Sequence, residues 1–425
     1  MPKYVIIGGS AAGIGAVEAI RDVDSNGSIA VISEELCPCY SRPMISDFVC
    51  GNATFPKMLC REDDFWKKND VQALTGTRVV SINFAEKCVA LDRGERINYE
   101  KLLVATGGKP FDPRIEGADK DGVFTFTTIS DAEKLSEKLP NSKNVVVVGG
   151  GLIGVSITEA LVKLGLRVTL VELQDKILSL LLDAKGSDII ENVIRETGVK
   201  IVTGQSVKQI FGKQENNHTV GGVILTKGDQ INCDAVVIAI GVIPRTELVA
   251  ETEVQLNRGI IVNNFMQTNL PDVYASGDVA ETWDFMFNQN RLLPLWPLAV
   301  SQGRVAGYNM AGKKTEYLGG TNMSSLKYFG IPVISIGITN PKDETLFEIL
   351  VEHQPEKNLY KKIVLKDNFI VGILLVNDIE RAGTLFHLLK DRINVKKFKR
   401  ELVSRDFSLA VLPKFLRRAM CSGCA

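Results

Sequence analysis

Two glycine-rich turns, each placed directly after a short run of β-branched residues, constrain the fold of this chain more than any other feature. The first follows the run KYVIIG at residues 3–8, and the second follows NVVVVG at residues 144–149. Each turn leads into a stretch with apolar residues at helical spacing, and then into another apolar run, at residues 28–35 and 167–173. This order predicts a strand, a tight turn, a helix and a parallel strand, twice in one chain.

The residues of the first turn suit the approach of a phosphate group. They are all small: Gly8, Gly9, Ser10, Ala11, Ala12 and Gly13. Gly8 permits the tight turn, Gly13 lets the helix pack closely on the strand, and Ser10 leaves room for backbone amides to reach a pyrophosphate. Glu34 and Glu35 come at the end of the next predicted strand, where a carboxylate can accept hydrogen bonds from ribose hydroxyls. We therefore predict a dinucleotide site at this turn.

The second turn carries the unmodified G-x-G-x-x-G pattern. Its residues are Gly149, Gly150, Gly151, Leu152, Ile153 and Gly154. The strand that follows ends at Glu172, whose carboxylate repels a 2′-phosphate, and no arginine comes directly after it, so NADH is favoured over NADPH. Small residues in a turn can also reflect close packing alone, but an acidic residue at the expected offset in both copies favours dinucleotide binding.

Length and composition set further limits. A chain of 425 residues is too long for one simple core, so we expect two or three domains. The hydrophobic fraction of 45% and charged fraction of 24% are ordinary for a globular protein, and a formal net charge of zero gives no reason to expect nucleic acid as a partner. Without a signal-peptide pattern or a membrane-length apolar run, we expect a cytoplasmic protein with no membrane span and with its eight cysteines reduced.

Further apolar runs extend both units. The segments at residues 101–106, 198–204 and 234–241 predict open parallel sheets with antiparallel additions. Beyond about Tyr317, short strand-like runs and then a helical, basic tail indicate a smaller domain. We therefore predict an α/β fold with two Rossmann-type dinucleotide-binding domains and a smaller α+β C-terminal domain.

Three more motifs carry a resemblance to a known family. The stretch TGG at residues 106–108 resembles the family's A-T-G stretch, and AIGVIP at 239–244 resembles its counterpart near the end of the NAD domain. YASGDVA at 274–280 resembles the Y-A-x-G-D motif. With the two turns, these motifs resemble the FAD/NAD branch of the pyridine nucleotide–disulfide oxidoreductase superfamily. The resemblance implies FAD at the first turn, NADH at the second, and Asp278 on the flavin ribityl chain.

A narrower resemblance concerns the electron partner. The segment YSRPMIS at residues 40–46 is similar to that of rubredoxin reductases and related ferredoxin-linked NADH oxidoreductases, which implies that Arg42 lies against the flavin. Asp47 stands where those proteins often have a lysine. TGGKP at 106–110 and DIERAG at 378–383 resemble the FAD-dependent NADH oxidoreductases of anaerobes that accompany carbon monoxide dehydrogenase. That resemblance implies an iron–sulfur protein or subunit as electron partner.

The resemblance also divides the chain and assigns cofactor residues. It implies a discontinuous FAD domain at residues 1–110 and 246–316, an NAD domain at 111–245, and a C-terminal interface domain at 317–425. The expected FAD contacts are Gly8, Gly9, Ser10, Ala11, Ala12, Gly13, Glu34, Glu35, Arg42, Pro43, Val79, Ala105, Thr106, Gly107, Gly277 and Asp278. The expected NAD contacts are Gly149, Gly151, Leu152, Ile153, Gly154, Glu172 and Gly241. We expect no metal ion, and either a homodimer or a subunit of a complex.

The cysteines and histidines argue against disulfide or peroxide reduction at the flavin. Glutathione-reductase-like enzymes need a C-x4-C pair after the first turn and a C-terminal His-Glu pair, and the sequence has neither. Single-cysteine NADH oxidases and peroxidases place their thiol close to the point where this chain has Arg42 and Pro43. Cys37 and Cys39 are nearby but not in that register. Cys50 and Cys60 are expected to be plain buried or loop thiols.

The C-terminal residues leave several interpretations open. Cys421 and Cys424 form a C-x-x-C that fits a shuttle dithiol, half of a metal site shared with a partner, or a terminus without a role. Basic residues outnumber acidic ones at residues 390–418. These basic side chains either attract an acidic ferredoxin-type partner or form a solvated helix face.

The sequence therefore predicts an FAD-dependent NADH oxidoreductase that exchanges electrons with an iron–sulfur carrier or partner subunit. Hydride transfer to a flavin needs no catalytic side chain, so none is assigned. One alternative is an NADH oxidase or disulfide reductase that uses Cys421 and Cys424. Another is a non-catalytic flavin-binding subunit of a larger redox complex. The sequence leaves the acceptor and the direction of electron flow open.

Overall fold

A computed structural model describes residues 2–404 and Phe407. Its residues form two compact units. The first unit comprises the residues up to Phe111 together with Thr127–Ala132 and Val242–Thr321, and the second comprises the other described residues. Both units combine parallel strands with helices, as the sequence predicted for an α/β fold. The division into three domains stays a prediction.

The core of the first unit is a parallel sheet. In spatial order its strands are Val273–Ala275, Lys101–Val104, Tyr4–Ile7, Ile29–Ser33 and Val71–Thr75. Their side chains pack in one apolar cluster with helices Ala11–Arg21 and Trp296–Met310, which we call the first helix and the long helix. Burial of such a sheet on both faces explains the unbroken apolar runs in the sequence.

Shorter elements complete the first unit. Its other strands are Val79–Asn83, Cys88–Leu91, Arg96–Asn98, Gly108–Pro110, Val242–Pro244, Ile260–Ile261, Ala280–Asp284 and Gln289–Leu292. Short helices cover Ile45–Val49, Phe55–Met58 and Phe65–Lys68, and a 3₁₀ turn covers Arg42–Met44. Helix Ile129–Lys138 begins in this unit and ends in the second.

The second unit repeats the parallel arrangement. In spatial order the strands of its sheet are Lys200–Val202, Arg167–Val171, Asn144–Val148, Ala235–Ile238 and Val123–Thr125. Its helices are Leu152–Lys163, Ala184–Glu196 and Ala382–Lys390. A separate antiparallel sheet contains Val207–Gly212, Val220–Leu225 and Gln230–Asn232. The predicted second βαβ unit is therefore present.

The C-terminal part of the second unit contains an antiparallel sheet. In spatial order its strands are Met323–Tyr328, Ile331–Gly337, Phe369–Val376, Leu359–Lys366 and Glu348–Gln354. The two strand-like runs noted in the sequence, VISIGI and IVGILLV, lie on neighbouring strands that pair with each other. The 3₁₀ turns of this unit are Leu139–Asn141, Glu344–Leu346, Pro355–Lys357 and Lys399–Val403. Among the helices of the described residues, none combines the length and apolarity that a membrane span requires.

A half-buried carboxylate joins this sheet to the helix Ala184–Glu196. Asp183 caps helix Ala184–Glu196 by accepting the Gly186 amide at 3.0 Å, and it also accepts the Tyr360 hydroxyl at 2.7 Å and the Lys362 ammonium at 2.9 Å. Burial acts to raise the pKa of Asp183, but the hydrogen bonds from these three donors outweigh it and leave the pKa lowered.

Glycines allow the first helix and the long helix to touch along their backbones. A Cβ built on Gly303 would stand 2.0 Å from the Ala12 carbonyl oxygen, and one on Gly307 would stand 2.4 Å from that of Ala16. No side chain fits at such distances, so the two helices pack more closely than ordinary ridges and grooves allow. Because Ala12 belongs to the first glycine turn, this contact also positions that turn.

We expect Gly303→Ala to destabilise the first unit by about 1–3 kcal/mol, because the added methyl group forces the two helices apart. Thermal unfolding of the purified protein would show a lower Tm, with weaker retention of FAD. The matched control is Gly383→Ala in helix Ala382–Lys390, where a Cβ meets no atom of the described residues within 4 Å. Equal Tm values for the two variants would contradict the assigned contact.

Candidate functional site

The first glycine turn runs against the neighbouring strand without room for side chains. Gly8 has a φ of +118°, and a Cβ built on it would stand 2.1 Å from the Ala105 carbonyl oxygen. A Cβ on Gly13 would stand 2.0 Å from the carbonyl oxygen of Gly8. Glycine is required at both positions, for backbone conformation at the first and for space at both.

This turn leads into the first helix, whose initial amides can receive an anion. Ser10 is the N-cap residue, and its side chain makes no capping bond within the described part of the chain. Ile14 donates to the Ser10 carbonyl oxygen at 2.9 Å, so the amides of Ala11, Ala12 and Gly13 have no acceptor in the helix. The helix dipole adds partial positive charge there, and no acidic side chain lies in this first turn to neutralise it. The arrangement suits a pyrophosphate.

A second stretch of predicted FAD residues lies beside this turn. Thr106 donates its hydroxyl to the Arg245 carbonyl oxygen at 2.8 Å, and the Arg245 amide donates to the Gly107 oxygen at 2.9 Å. Gly107 has a φ of +69°, which lets the chain turn away after the strand. These bonds hold residues 105–107 next to Gly8.

Arg42 is anchored on one side of the site. Its guanidinium forms an ion pair with Glu35 and donates to the Thr127 carbonyl oxygen at 3.0 Å. The Tyr40 hydroxyl donates to the other Glu35 oxygen at 2.8 Å and accepts the Ile129 amide at 2.8 Å. Both oxygens of Glu35 therefore accept bonds from protein groups, and this glutamate orients Arg42. Sequence reasoning missed Tyr40 as part of this cluster, although the residue lies inside the segment that it singled out.

Glu34 has an arginine partner of its own. Arg245 Nη1 lies 2.6 Å from Glu34 Oε2, and both side chains are exposed at their outer edges. Arg245 directly follows the AIGVIP stretch but was absent from the predicted site, because an arginine after a proline carries no signal of a distant ion pair. It stays a prediction that the Glu34 carboxylate also accepts hydrogen bonds from ribose hydroxyls.

Buried Gln302 holds the backbone of the Gly277–Asp278 pair in place. Gly277 has a φ of +78°, and its amide donates to Gln302 Oε1 at 2.9 Å, while Gln302 Nε2 donates to the Thr282 hydroxyl at 3.0 Å. The Asp278 carboxylate accepts no hydrogen bond from any described residue. Burial raises the pKa of Asp278, and the charge of Arg42 opposes that change. Gln302 was also absent from the predicted site.

These groups fit FAD. The first turn offers amide donors for a pyrophosphate, and Asp278 is a half-buried carboxylate that lacks the donors a sugar or ribityl hydroxyl would supply. Arg42 adds positive charge on the same side of the unit. Pro43 is exposed and Val79 is buried in the core, so Val79 could contact a cofactor only through its backbone.

The second glycine turn has the same close packing. Gly149 has a φ of +107°, and a Cβ built on it would stand 2.5 Å from the Ala239 carbonyl oxygen. A Cβ on Gly154 would stand 1.8 Å from the carbonyl oxygen of Gly149. Strand, turn and helix are thus joined as at the first turn.

Gly151 of this turn, and Gly241 after the neighbouring strand Ala235–Ile238, are open instead of packed. A Cβ on Gly151 or on Gly241 would meet no atom of the described residues within 4 Å. Gly151 is the N-cap residue of its helix, so the amides of Leu152 and Ile153 have no acceptor within that helix. Open space in front of free amides fits a ligand phosphate better than a packing role.

Glu172 helps to shape the second turn. Its carboxylate accepts the Gly150 amide at 2.5 Å and the Gln174 amide at 2.7 Å. These bonds leave further lone pairs on both oxygens, so ribose binding is compatible with them.

The predicted C-x-x-C cannot be placed, because Cys421 and Cys424 lie outside the described residues. Within residues 2–404 and Phe407, no cluster of at least three His, Cys, Asp or Glu side chains could hold a metal ion.

Comparison with known proteins identifies matches along the whole described chain. Residues 2–303 match the family model described as pyridine nucleotide-disulphide oxidoreductase, and residues 323–393 match the rubredoxin NAD+ reductase C-terminal domain. The chain is 30% identical to the NADH-dependent phenylglyoxylate dehydrogenase subunit epsilon of Aromatoleum evansii, covering 96% of both chains. It is also 30% identical to a nitrite reductase [NAD(P)H] of Bacillus subtilis, covering 93% of this chain but only 48% of that longer protein.

Among solved structures, the NADH:rubredoxin oxidoreductase of Clostridium acetobutylicum superimposes with a TM-score of 0.77. The two are 27% identical, and the match covers 93% of this chain and 97% of the other.

We expect Asp278→Asn to weaken FAD binding by about tenfold, because a charged acceptor for the cofactor is lost. The same change should stabilise the FAD-free protein at neutral pH. Since burial raises the Asp278 pKa above its unfolded value, the ionised carboxylate costs stability at neutral pH, and this cost vanishes below the unfolded pKa of about 3.9. The Tm gain of the variant should therefore grow as the pH rises from about 4 to 7.

Exposed Asp92 supplies the matched control, since Asp92→Asn should change neither FAD affinity nor the pH dependence of Tm. Flavin fluorescence titration and pH-resolved thermal melts measure the two effects. A flat Tm difference across this pH range would show that Asp278 is not a buried, unpaired carboxylate.

Proposed function

The chain belongs to the pyridine nucleotide-disulphide oxidoreductase family, and on that premise we propose that it exchanges electrons between NAD(H) and a small iron–sulfur carrier. The coarser activity is that of an NADH-linked oxidoreductase with FAD and NAD(H) as cofactors. The proposal adds the acceptor, which would be a one-electron protein of the rubredoxin or ferredoxin type.

The residues of each unit take distinct roles in this proposal. In the first unit, the amides of residues 11–13 would hold the FAD pyrophosphate, and Asp278 would accept a ribityl hydroxyl. In the second unit, the amides at residues 151–153 would hold the NADH pyrophosphate, while Glu172 would exclude a 2′-phosphate. FAD, when bound, supplies the conversion between two-electron hydride chemistry and one-electron transfer.

The observation that carries the proposal is the anchoring of Arg42. Where NADH oxidases of the family have a cysteine, this chain has residues 42–43, and the Arg42 side chain is fixed by Glu35 and Thr127. An arginine accepts no electrons, so it cannot relay them to a peroxide or a disulfide as a thiol does. An external acceptor is then the simplest destination for electrons from NADH.

The C-terminal part of the chain supports a rubredoxin-type acceptor. Its match to the rubredoxin NAD+ reductase C-terminal domain covers residues 323–393. Directly after this segment, Lys396, Lys397 and Arg400 are exposed on the surface. Lys399 is instead paired with Glu348 at 2.7 Å. Exposed basic side chains favour an acidic carrier through long-range attraction.

A partner subunit is the second candidate acceptor. The relative from Aromatoleum evansii, which this chain covers almost completely, is named as a subunit of an NADH-dependent dehydrogenase. The chain spans about half of the nitrite reductase of Bacillus subtilis, at 48% of its length, so the activity of that whole protein is not assigned to this one.

We expect anaerobic NADH to bleach the flavin absorbance of the purified protein, and a rubredoxin or a ferredoxin to restore it quickly. Stopped-flow mixing of the reduced protein with each carrier, with oxygen and with oxidised glutathione in parallel measures the preference. Fast reoxidation by oxygen or glutathione alone would overturn the proposal. If NADH leaves the flavin oxidised, the chain is instead a non-catalytic flavin-binding subunit.

Replacing Cys421 and Cys424 with serine should leave the rate of carrier reduction unchanged, because the proposed electron path uses no thiol. The same assay with NADH and a ferredoxin measures it. Loss of transfer in the double variant would favour the rival disulfide-reductase function.

Charge reversal of Lys396 and Lys397 to glutamate should raise the KM for an acidic ferredoxin by about tenfold at low salt, and by less at high salt. The rate of flavin reduction by NADH should not change. Lys227→Glu, at an exposed lysine far along the sequence from this segment, is the control. Equal KM values for the double variant and the control would remove this segment from the carrier-binding surface.

A further inference from the structure

Two cysteines face each other beside the first glycine turn. The chain segments that carry them run antiparallel, with a bridge between Tyr40 and Leu59. Next to this bridge, the Cys60 amide donates to the Cys39 carbonyl oxygen at 2.9 Å. Cys39 and Cys60 are therefore opposite residues of the antiparallel pair, although 20 positions separate them in the sequence.

The two thiols are placed for bond formation. The two side chains are close enough that each acts on the pKa of the other. Opposite residues of an antiparallel pair have their Cα atoms about 4.5–5.5 Å apart, and a disulfide spans about 4.4–6.8 Å between the same atoms. The pairing of Cys39 with Cys60 is therefore compatible with a disulfide between them.

The two thiols are chemically unequal. Cys39 is buried, with 9% of its surface exposed, whereas Cys60 is half-buried and lies next to Arg61. The hydrogen bond from Cys39 lowers the pKa of Cys60, with a contribution from the charge of Arg61, and burial only partly opposes this. The hydrogen bond to Cys60 and burial raise the pKa of Cys39. Cys60 thus has the character of an attacking thiolate, and Cys39 that of a resolving thiol.

The pair is connected to the turn that offers its amides to FAD. The Cys39 thiol lies near the hydroxyl of Ser10, the N-cap residue of the first helix, and this hydroxyl acts to lower the pKa of the thiol. Cys39 also lines a small pocket with Ile14 of that helix and with Trp66. A Cβ built on Gly9 would stand 3.6 Å from the Trp66 ring. A change at Cys39 therefore acts directly on the glycine turn.

We propose that Cys39 and Cys60 form a reversible disulfide by exchange with small-molecule disulfides, and that this bond weakens FAD binding at the adjoining turn. The Cys60 thiolate attacks one sulfur of the external disulfide, which forms a mixed disulfide and releases one thiolate. Cys39 then loses its proton and attacks the Cys60 sulfur, which closes the internal disulfide and releases the second external thiol. The external disulfide is reduced by two electrons, and the cysteine pair is oxidised by two.

The consequence for FAD follows from the position of Cys39. Closure of the disulfide draws the Cys39 sulfur toward Cys60, so the side chains of Ile14 and Trp66, which share the small pocket with Cys39, must repack beside the glycine turn. The inference rests on FAD at the first turn, but it is independent of NADH and of the electron acceptor. Its failure is therefore distinguishable from failure of the proposed function.

The first test is treatment of the FAD-loaded protein with oxidised glutathione, followed by alkylation, digestion without reductant and mass spectrometry. We expect a peptide pair that links Cys39 to Cys60. Cys39→Ser should instead accumulate a glutathione adduct on Cys60, because the resolving thiol is missing, and Cys60→Ser should give neither product. Cys50→Ser, which removes a half-buried thiol elsewhere in the first unit, should behave as the unchanged protein.

A stable glutathione adduct on Cys60 of the unchanged protein, without the linked peptide, would overturn the proposed exchange. So would a lack of reaction at both cysteines. Peptide mapping also separates this bond from any that forms between Cys421 and Cys424.

The second test measures FAD release after dilution, from the rise in flavin fluorescence. We expect release to become about fivefold faster after oxidation, the size of effect that the change of one contact beside the turn produces, and to return to its initial rate with dithiothreitol. Cys39→Ser and Cys60→Ser should each show the same rate with and without oxidant. Formation of the linked peptide with an unchanged release rate would overturn the coupling to FAD.

Discussion

The close approach of two glycine turns to their neighbouring strands is the constraint on which the rest of the structure depends. At Gly8 and at Gly149, a side chain would collide with a carbonyl oxygen of the adjacent parallel strand, 2.1 and 2.5 Å away. This contact lets each helix start immediately after its strand, with its first amides free. In the first unit, the contact of Gly303 with Ala12 presses the long helix against the same turn. Space for a pyrophosphate therefore results from the absence of side chains.

Three carboxylates near the first turn differ in whether the protein itself supplies them with a partner. Glu35 and Glu34 each have an arginine partner, so their charges are satisfied within the protein. Asp278 has no donor among the described residues, and burial raises its pKa. An unpaired, half-buried carboxylate costs stability, which a cofactor hydroxyl would partly restore. Of these three carboxylates, the one without a donor is thus the one that the family resemblance places on the flavin ribityl chain.

Much of the fold and part of the site could be predicted from the sequence. The two βαβ units and the place of each turn followed from β-branched runs and glycines, which act locally. The role of Glu35 as an anchor for Arg42, the support of Gly277 by Gln302, and the pairing of Cys39 with Cys60 did not follow. Cys60 was expected to be a plain thiol, because nothing in the neighbouring sequence reveals an antiparallel partner 21 positions away.

The sequence by itself determined the family and the place of the two glycine turns, because each depends on residue type at fixed short spacing. The preference for NADH over NADPH stays a prediction. Only the tertiary structure decided which carboxylates are already paired and which remains without a donor. It also brought Cys60 opposite Cys39, beside Ile14 of the first helix. Contacts of this kind depend on how distant segments pack, and packing is set by the summed fit of many side chains instead of by any local pattern.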